Sequence, residues 1–224
     1  MNSYALISTF DKSNLNKICK KFKFFKIKII STGSTAKYIR KLGYSCQEVS
    51  SITNFKEILD GRVKTIHPKI HASLLFKRNN KNHIKTFKNL KFPKIDFLIV
   101  NLYPFKDTVK NKKKFNERVE MIDIGGPALL RSAAKNFKNV TIITSKNDYS
   151  SLIKELENYK GETSLKFREI MSSKAFGLTA YYDSMISNWF NDKLNINFPE
   201  RKTIFGRKLK KLRYGENPHQ QSSI

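Results

Sequence analysis

The strongest constraint on this chain is an alternation. Short runs of β-branched and apolar residues are separated by helix-like segments and by Gly, Pro and Ser/Asn breaks. "YALISTF" (4–10), "KIKIIST" (26–32), "IDFLIVNLYPF" (95–105) and "NVTIITS" (139–145) read as strands, with Pro104 ending the third. "SCQEVS" (45–50) reads as a further short strand. Between them, Ser13 is placed to cap a helix from Asn14 to about Phe22, and Gly43 is placed to stop one that starts near Thr35. "NFKEILDG" (54–61), "KKFNERVEMI" (113–122) and "NDYSSLIKELENY" (147–159) read as helices, and 164–194 as one long amphipathic helix. "RVKTIHPKIHASLLF" (62–76) reads as a loop running into a strand. Strands alternating with helices give an α/β domain with a mainly parallel sheet flanked by helices. That domain covers 1–195. From 196 to 224 the pattern dissolves into a charged, proline-containing extended arm.

Charge narrows the function less than its size suggests. The 224 residues carry 44 Lys and Arg against 18 Asp and Glu, a formal +26. Such a surface suits phosphate backbones. The cations are spread along the chain, however, and no helix-turn-helix, zinc-finger or RNA-recognition pattern accompanies them. Lys, Asn, Ile and Phe all have AT-rich codons, so mutational bias alone is sufficient to produce this composition. A nucleic-acid partner is not expected; an anionic small molecule is compatible. No apolar run approaches the roughly 18 residues of a membrane span, and the N-terminus lacks the pattern of a secretion signal. The expectation is a cytoplasmic protein with no membrane partner. Cys19 and Cys46 have no metal spacing and read as ordinary thiols.

In parallel α/β sheets ligands bind beyond the carboxyl ends of the strands. Four segments arrive there. "STGST" (31–35) combines hydroxyls, a glycine and a helix start, and its outward N–H groups and helix dipole suit a phosphate; a plain capping turn is the alternative. "DGRVKT" (60–65) sets Arg62 and Lys64 on one side of an extended segment. "NLYPF" (101–105) puts the Tyr103 hydroxyl after a buried strand, where it suits a developing oxyanion. In "DIGGP" (123–127), Gly125 and Gly126 permit backbone conformations closed to other residues, and Pro127 suits the first turn of a helix. Asp123 on that loop and Lys135 on that helix form an acid–base pair if they converge. "HPKIH" (67–71) sets two histidines four apart, but Pro68 opposes a helix interior and no Cys or Glu completes a ligand set, so no metal is expected. GxGxxG, Walker A and GxSxG are absent from the sequence.

In order along the chain, "STFDK", "STGST", "DGRVKTIHPKIH", "NLYPF", "IDIGGPALLRSAAKN" and "LRYGENPHQ" resemble the bifunctional purine-biosynthesis enzyme family, over residues 4 to 220. Its members join an IMP cyclohydrolase domain to an AICAR transformylase domain. The resemblance implies a methylglyoxal-synthase-like, Rossmann-like α/β fold. It implies closure of the purine ring of 5-formamido-AICAR ribotide to IMP with loss of water, using neither metal nor redox cofactor. Carried over residue by residue, the catalytic set is Lys64, Tyr103, Asp123 and Lys135. The nucleotide contacts are Lys12, Thr32, Gly33, Ser34, Thr35, Arg62, Thr65, Asn101, Gly125 and Gly126.

Three departures stand out. Phe10 occupies a position where the family has serine. Ser34 replaces a glycine, which strains the loop if that position needs positive φ. Ala72 and Ser73 replace a glycine pair. "LRYGENPHQ", with Arg213 and Tyr214, matches the start of the transformylase half, and the family's Lys-His pair for formyl transfer is not in this sequence. The expectation is a cyclohydrolase without transformylase activity or folate binding, whose arm is a remnant or docks a separate transformylase. The other functions weighed are methylglyoxal synthase and a non-catalytic phosphate-ligand module like the regulatory domain of carbamoyl-phosphate synthetase. Monomer and homodimer both remain open.

Overall fold

In the computed structural model the described residues are 2–103, 105, 114–213, 217 and 222–223. They form two compact units, Met1–Thr179 and Ala180–Ile224.

The first unit is built on a five-stranded sheet. Its strands are β1 (Ser3–Thr9), β2 (Lys28–Ser31), β3 (Gln47–Glu48), β4 (Lys94–Asn101) and β5 (Thr141–Ile143), in the order β3-β2-β1-β4-β5. Every pairing is parallel. β1 and β4 carry the middle of the sheet: Ala5, Leu6, Ile7, Ile95 and Leu98 are fully buried. Three consecutive buried residues in β1 mean that both faces are covered, as parallel sheets require. The helices that cover them are α1 (Leu15–Phe24), α2 (Gly33–Lys41), α3 (Val49–Thr53), α4 (Pro68–Leu75), α5 (Lys81–Asn89), α6 (Phe115–Val119), α7 (Gly125–Lys135), α8 (Tyr149–Asn158) and α9 (Leu165–Lys193). On α1 the buried residues are Leu15, Ile18, Cys19 and Phe22, the i, i+3, i+4, i+7 stripe of a helix with one apolar face.

The chain runs outward from β1 to β2 to β3, then returns to β4 on the other side of β1. The crevice between β1 and β4 is therefore the point where winding reverses, and loops on its two sides diverge there.

Several local expectations are corrected. The segment 62–76 contains a helix, α4, and no strand. Pro68 opens it, a position where the missing N–H costs nothing, and the His67 side chain accepts from Lys69 N. Residues 54–61 hold no α-helix, only a short 3-10 turn at Leu59–Gly61. The helical turn lies earlier, in α3, and Asn54 ends it in the left-handed region at φ 55°. Ser13 does not cap α1; Asn14 holds that place without a side-chain bond. The third strand shrinks to Gln47–Glu48, and α6 to Phe115–Val119, with residue 113 outside the described set. β4 ends at Asn101, before Tyr103, and Pro104 lies outside the described residues. Both cysteines are free; burial pushes the Cys19 thiol up to about 12 and Cys46 to about 11.

The boundary between the two units falls within α9. In the second unit Asn188 Nδ2 donates to Thr203 O (3.0 Å) and Thr203 Oγ1 (2.9 Å), and Tyr181 meets the Phe205 ring edge-on at 5.3 Å. Lys211 and Ser223 form an isolated antiparallel bridge. Arg213 is described and Tyr214 is not. Among the described residues no helix is long and apolar enough to cross a membrane.

Candidate active site

The carboxyl ends of β1 and β4, with the loops beyond them, enclose a cleft of about 620 Å³. One wall is the start of α2. Thr32 holds its N-cap position in an extended conformation, and Gly33 follows at φ +42°, open to space on the Cα side. The positive-φ residue is Gly33, whereas Ser34 adopts an ordinary conformation, so the serine brings no backbone strain. Thr35 turns its hydroxyl inward instead: its Oγ1 donates to Thr9 O (3.0 Å) and accepts from Thr9 N (3.3 Å). This hydroxyl ties α2 to β1, and it is the free N–H groups of the helix start that face the cleft.

A second wall is a tight loop. Ile58 and Val63 form an antiparallel bridge, and between them Leu59, Asp60 and Gly61 take φ values of 53°, 53° and 91°. Of these three successive left-handed residues, the two that are not glycine, Leu59 and Asp60, store strain of about 1–3 kcal/mol each. The turn swings Arg62, Lys64 and Thr65 into the cleft. Arg62 is not extended, as its spacing suggested, but helical in φ/ψ, and the two cations reach the same space through the turn. Lys64 Nζ pairs with Glu57 Oε2 at 3.3 Å. Across the mouth Arg62 pairs with Glu120 Oε1, also at 3.3 Å. Glu57 and Glu120 carry no periodic or motif signal, which is why the sequence did not reveal them.

The floor is the start of α7. Gly125 and Gly126 are needed for closeness, not for unusual φ. A Cβ on Gly126 would sit 2.5 Å from Asp123 Oδ2 and 2.6 Å from Leu102 Cδ2; one on Gly125 would sit 2.9 Å from Thr65 Oγ1. Asp123 Oδ1 accepts from Gly126 N at 2.8 Å. Burial raises the Asp123 pKa, against the opposing pull of that N–H and of the Lys64 charge. A carboxylate poised above its ordinary range is a better base than an exposed one.

Lys64, Tyr103, Asp123, Thr32, Gly33, Ser34, Thr35, Arg62, Thr65, Asn101, Gly125 and Gly126 all line this cleft. Lys12 and Lys135 do not. The Lys12 ammonium folds back onto Phe10 O at 3.3 Å. Lys135 is the exposed last residue of α7, ten residues along a helix whose first residue touches the cleft, about 15 Å away at 1.5 Å per residue. The carboxylate and the ammonium that meet are therefore Asp123 and Lys64. Asn101 lines the cleft, yet its amide bonds the Phe10–Asp11 backbone: Oδ1 accepts from Phe10 N (2.6 Å) and Asp11 N (3.1 Å), and Nδ2 donates to Asp11 O (2.9 Å). His67 Nδ1 is the α4 cap, His71 Nδ1 bonds Ser132 Oγ at 2.9 Å, and no group of three metal-ligating side chains occurs among the described residues. A second cleft, about 590 Å³, lies at the amino ends of β1 and β4 and brings together no acid–base pair.

The fold is that of an MGS-like domain. A family model of that description matches residues 14–128, and a second, the AICARFT/IMPCHase bienzyme, matches residues 133–224. The chain belongs to the MGS-like family and corresponds to the N-terminal MGS-like/IMP cyclohydrolase region of bifunctional purine biosynthesis proteins. It is 45% identical over 98% of its length to the bifunctional purine biosynthesis protein PurH of Bradyrhizobium diazoefficiens, covering 42% of that protein. It is 46% identical over its full length to PurH of Persephonella marina, covering 44%. Less than half the length of these relatives is thus represented. A solved structure described as ForH superposes with a TM-score of 0.74 at 25% identity, over 85% of this chain and all of that one.

Proposed function

We propose that this chain is an IMP cyclohydrolase acting on 5-formamido-AICAR ribotide. The observation that carries this is that Lys64, Tyr103 and a half-buried Asp123 line one nucleotide-sized cleft, in a chain 45% identical to PurH.

The reaction needs an exocyclic amine to attack the formamide carbon of the same molecule. Negative charge develops on the formyl oxygen as the carbon becomes tetrahedral. The Lys64 ammonium and the Tyr103 hydroxyl are the donors available to that oxygen. Asp123 accepts the proton leaving the amine and, once protonated, is the acid that helps water depart. Cations and helix N-termini supply the phosphate site: Arg62 from the strained turn and the N–H groups at the start of α2. Holding amine and formyl group in a reactive rotamer supplies much of the acceleration, because the reaction is intramolecular. Lys135 has no part in this scheme within one protomer, given its place at the far end of α7.

The test is conversion of 5-formamido-AICAR ribotide to IMP by the purified chain, followed by ultraviolet absorbance. Turnover that is lost in Lys64→Ala and in Asp123→Asn supports the assignment. A folded wild-type chain without turnover refutes it.

A further inference from the structure

Two aromatic side chains line the cleft, and both are open: Phe10 is 51% exposed and Tyr103 44%. Their ring centroids are 5.1 Å apart with planes inclined at 55°. Among the described lining residues no other is aromatic. The remaining wall is mixed: hydroxyls, glycines, two cations and three carboxylates, with Val100, Val119, Met121, Ile122, Ile124 and Leu129 between them.

A single exposed phenylalanine is unremarkable on a protein surface. This one is held in place. Asn101, at the end of β4, commits both ends of its amide to the Phe10–Asp11 backbone through bonds of 2.6, 3.1 and 2.9 Å. Asp11 is fixed in turn by Ser13 N (2.8 Å) and by the Lys146 ammonium (2.8 Å). The ring at residue 10 is thereby presented to the cleft on a rigid backbone, next to a second ring. Aromatic faces arranged this way in a concavity that also offers hydrogen-bonding groups suit a flat heterocycle, and the contact loses little entropy because the wall is preorganised.

We infer that Phe10 and Tyr103 form a stacking subsite for the heterocycle of the bound nucleotide, and that Phe10 makes this chain discriminate a nucleotide from its bare sugar phosphate. This rests on the proposed cyclohydrolase reading for the identity of the nucleotide. It assigns a gain to the one cleft position where the motif pattern predicted only the loss of a hydroxyl.

The experiment is calorimetric titration of IMP and of ribose 5-phosphate into the wild-type chain and into Phe10→Ala, Phe10→Leu and Phe10→Trp. Expected is about a tenfold weaker affinity for IMP in Phe10→Ala, since a base–aromatic contact is of that order, with affinity for ribose 5-phosphate unchanged. Phe10→Leu restores little, because it supplies bulk without a π-face. Phe10→Trp restores IMP affinity, and its added indole emission is quenched by IMP but not by ribose 5-phosphate. Equal IMP affinity in wild type and Phe10→Ala overturns the subsite and leaves the cyclohydrolase reading standing. Equal losses for both ligands also overturn it, by showing a general disturbance of the loop. Absence of IMP binding to the wild-type chain overturns the cyclohydrolase reading, and the subsite with it.

Discussion

The carboxylate of Glu57 holds the ammonium of Lys64 at 3.3 Å, and Gly61 passes so close beneath that a Cβ there would lie 2.5 Å from Glu57 Oε1 and 3.4 Å from Lys64 Nζ. Glu57 is thus a positioning residue for the cation assigned to the developing oxyanion. Both partners are well exposed, so the pair contributes at most about 1 kcal/mol to stability. Glu57→Gln is expected to leave the urea midpoint nearly unchanged while lowering kcat for cyclisation roughly three- to tenfold, through loss of orientation. A large stability loss with unchanged kcat would assign Glu57 to the fold instead.

Gly126→Ala is expected to damage both stability and catalysis. The new methyl group meets Asp123 Oδ2 at 2.5 Å and Leu102 Cδ2 at 2.6 Å; the Leu102 side chain can turn aside, but the Asp123 carboxylate yields only by leaving its bond to Gly126 N. Overpacking of this kind costs about 1–3 kcal/mol. Chemical denaturation and the cyclisation assay together check it; Gly33→Ala is the comparison, since a methyl group there meets nothing within 4 Å and only the φ of +42° resists it.

Asp123 gives a pH signature. Burial raises its folded pKa above the ordinary 3.8, so the folded state binds more protons than the unfolded state between those two values. Stability contributed by the protonated form is present below 3.8 and is lost as pH rises through the folded pKa. Asp123→Asn therefore removes a half-buried charge and is expected to raise Tm at pH 7, but not at pH 3, while abolishing turnover. In the wild type the acid limb of kcat/KM lies at higher pH than an ordinary carboxylate gives. Thermal scans at the two pH values and a pH–rate profile are the measurements.

Asn101→Ala removes three bonds that join positions 90 and 91 residues apart in the chain. At about 0.5–1.5 kcal/mol per bond the expected destabilisation is roughly 1–3 kcal/mol, allowing for water replacing part of it. Hydrogen exchange at the Phe10 and Asp11 amides is expected to quicken more than exchange at the Ala5–Ile7 amides of the same strand. Uniform acceleration along β1 would show that Asn101 stabilises the sheet and not the loop.

The stretch 123–135 shows why sequence spacing and tertiary placement diverge. An acid, two glycines, a proline and a lysine in that order suggested two charged groups converging. The order of residues does decide that a helix starts after Asp123, because Pro127 and the alanines that follow favour it. It also decides that the start carries free N–H groups. The length of that helix then takes Lys135 to its opposite end, and the cation whose charge acts on Asp123 is Lys64, directly after the 58–63 turn. That turn was not visible: a left-handed Leu59 goes against the preference of a bulky residue, and the Ile58–Val63 bridge with the turn bonds Gly61 N to Ile58 O and Arg62 N to Leu59 O holds it there.

By itself the sequence determined the alternation of strands and helices, the parallel sheet, and the four loops that converge at its carboxyl end. These follow from local periodicity and from turn residues, which act within a few positions. Tertiary structure alone decided that Asn101 locks the Phe10 loop, that Glu57 holds Lys64, that Gly126 must lack a side chain to seat Asp123, and that α4 is a helix although "ASLLF" reads as a strand. Each of these depends on contacts or burial that no short window of sequence contains. They became legible only once β1 and β4 were side by side.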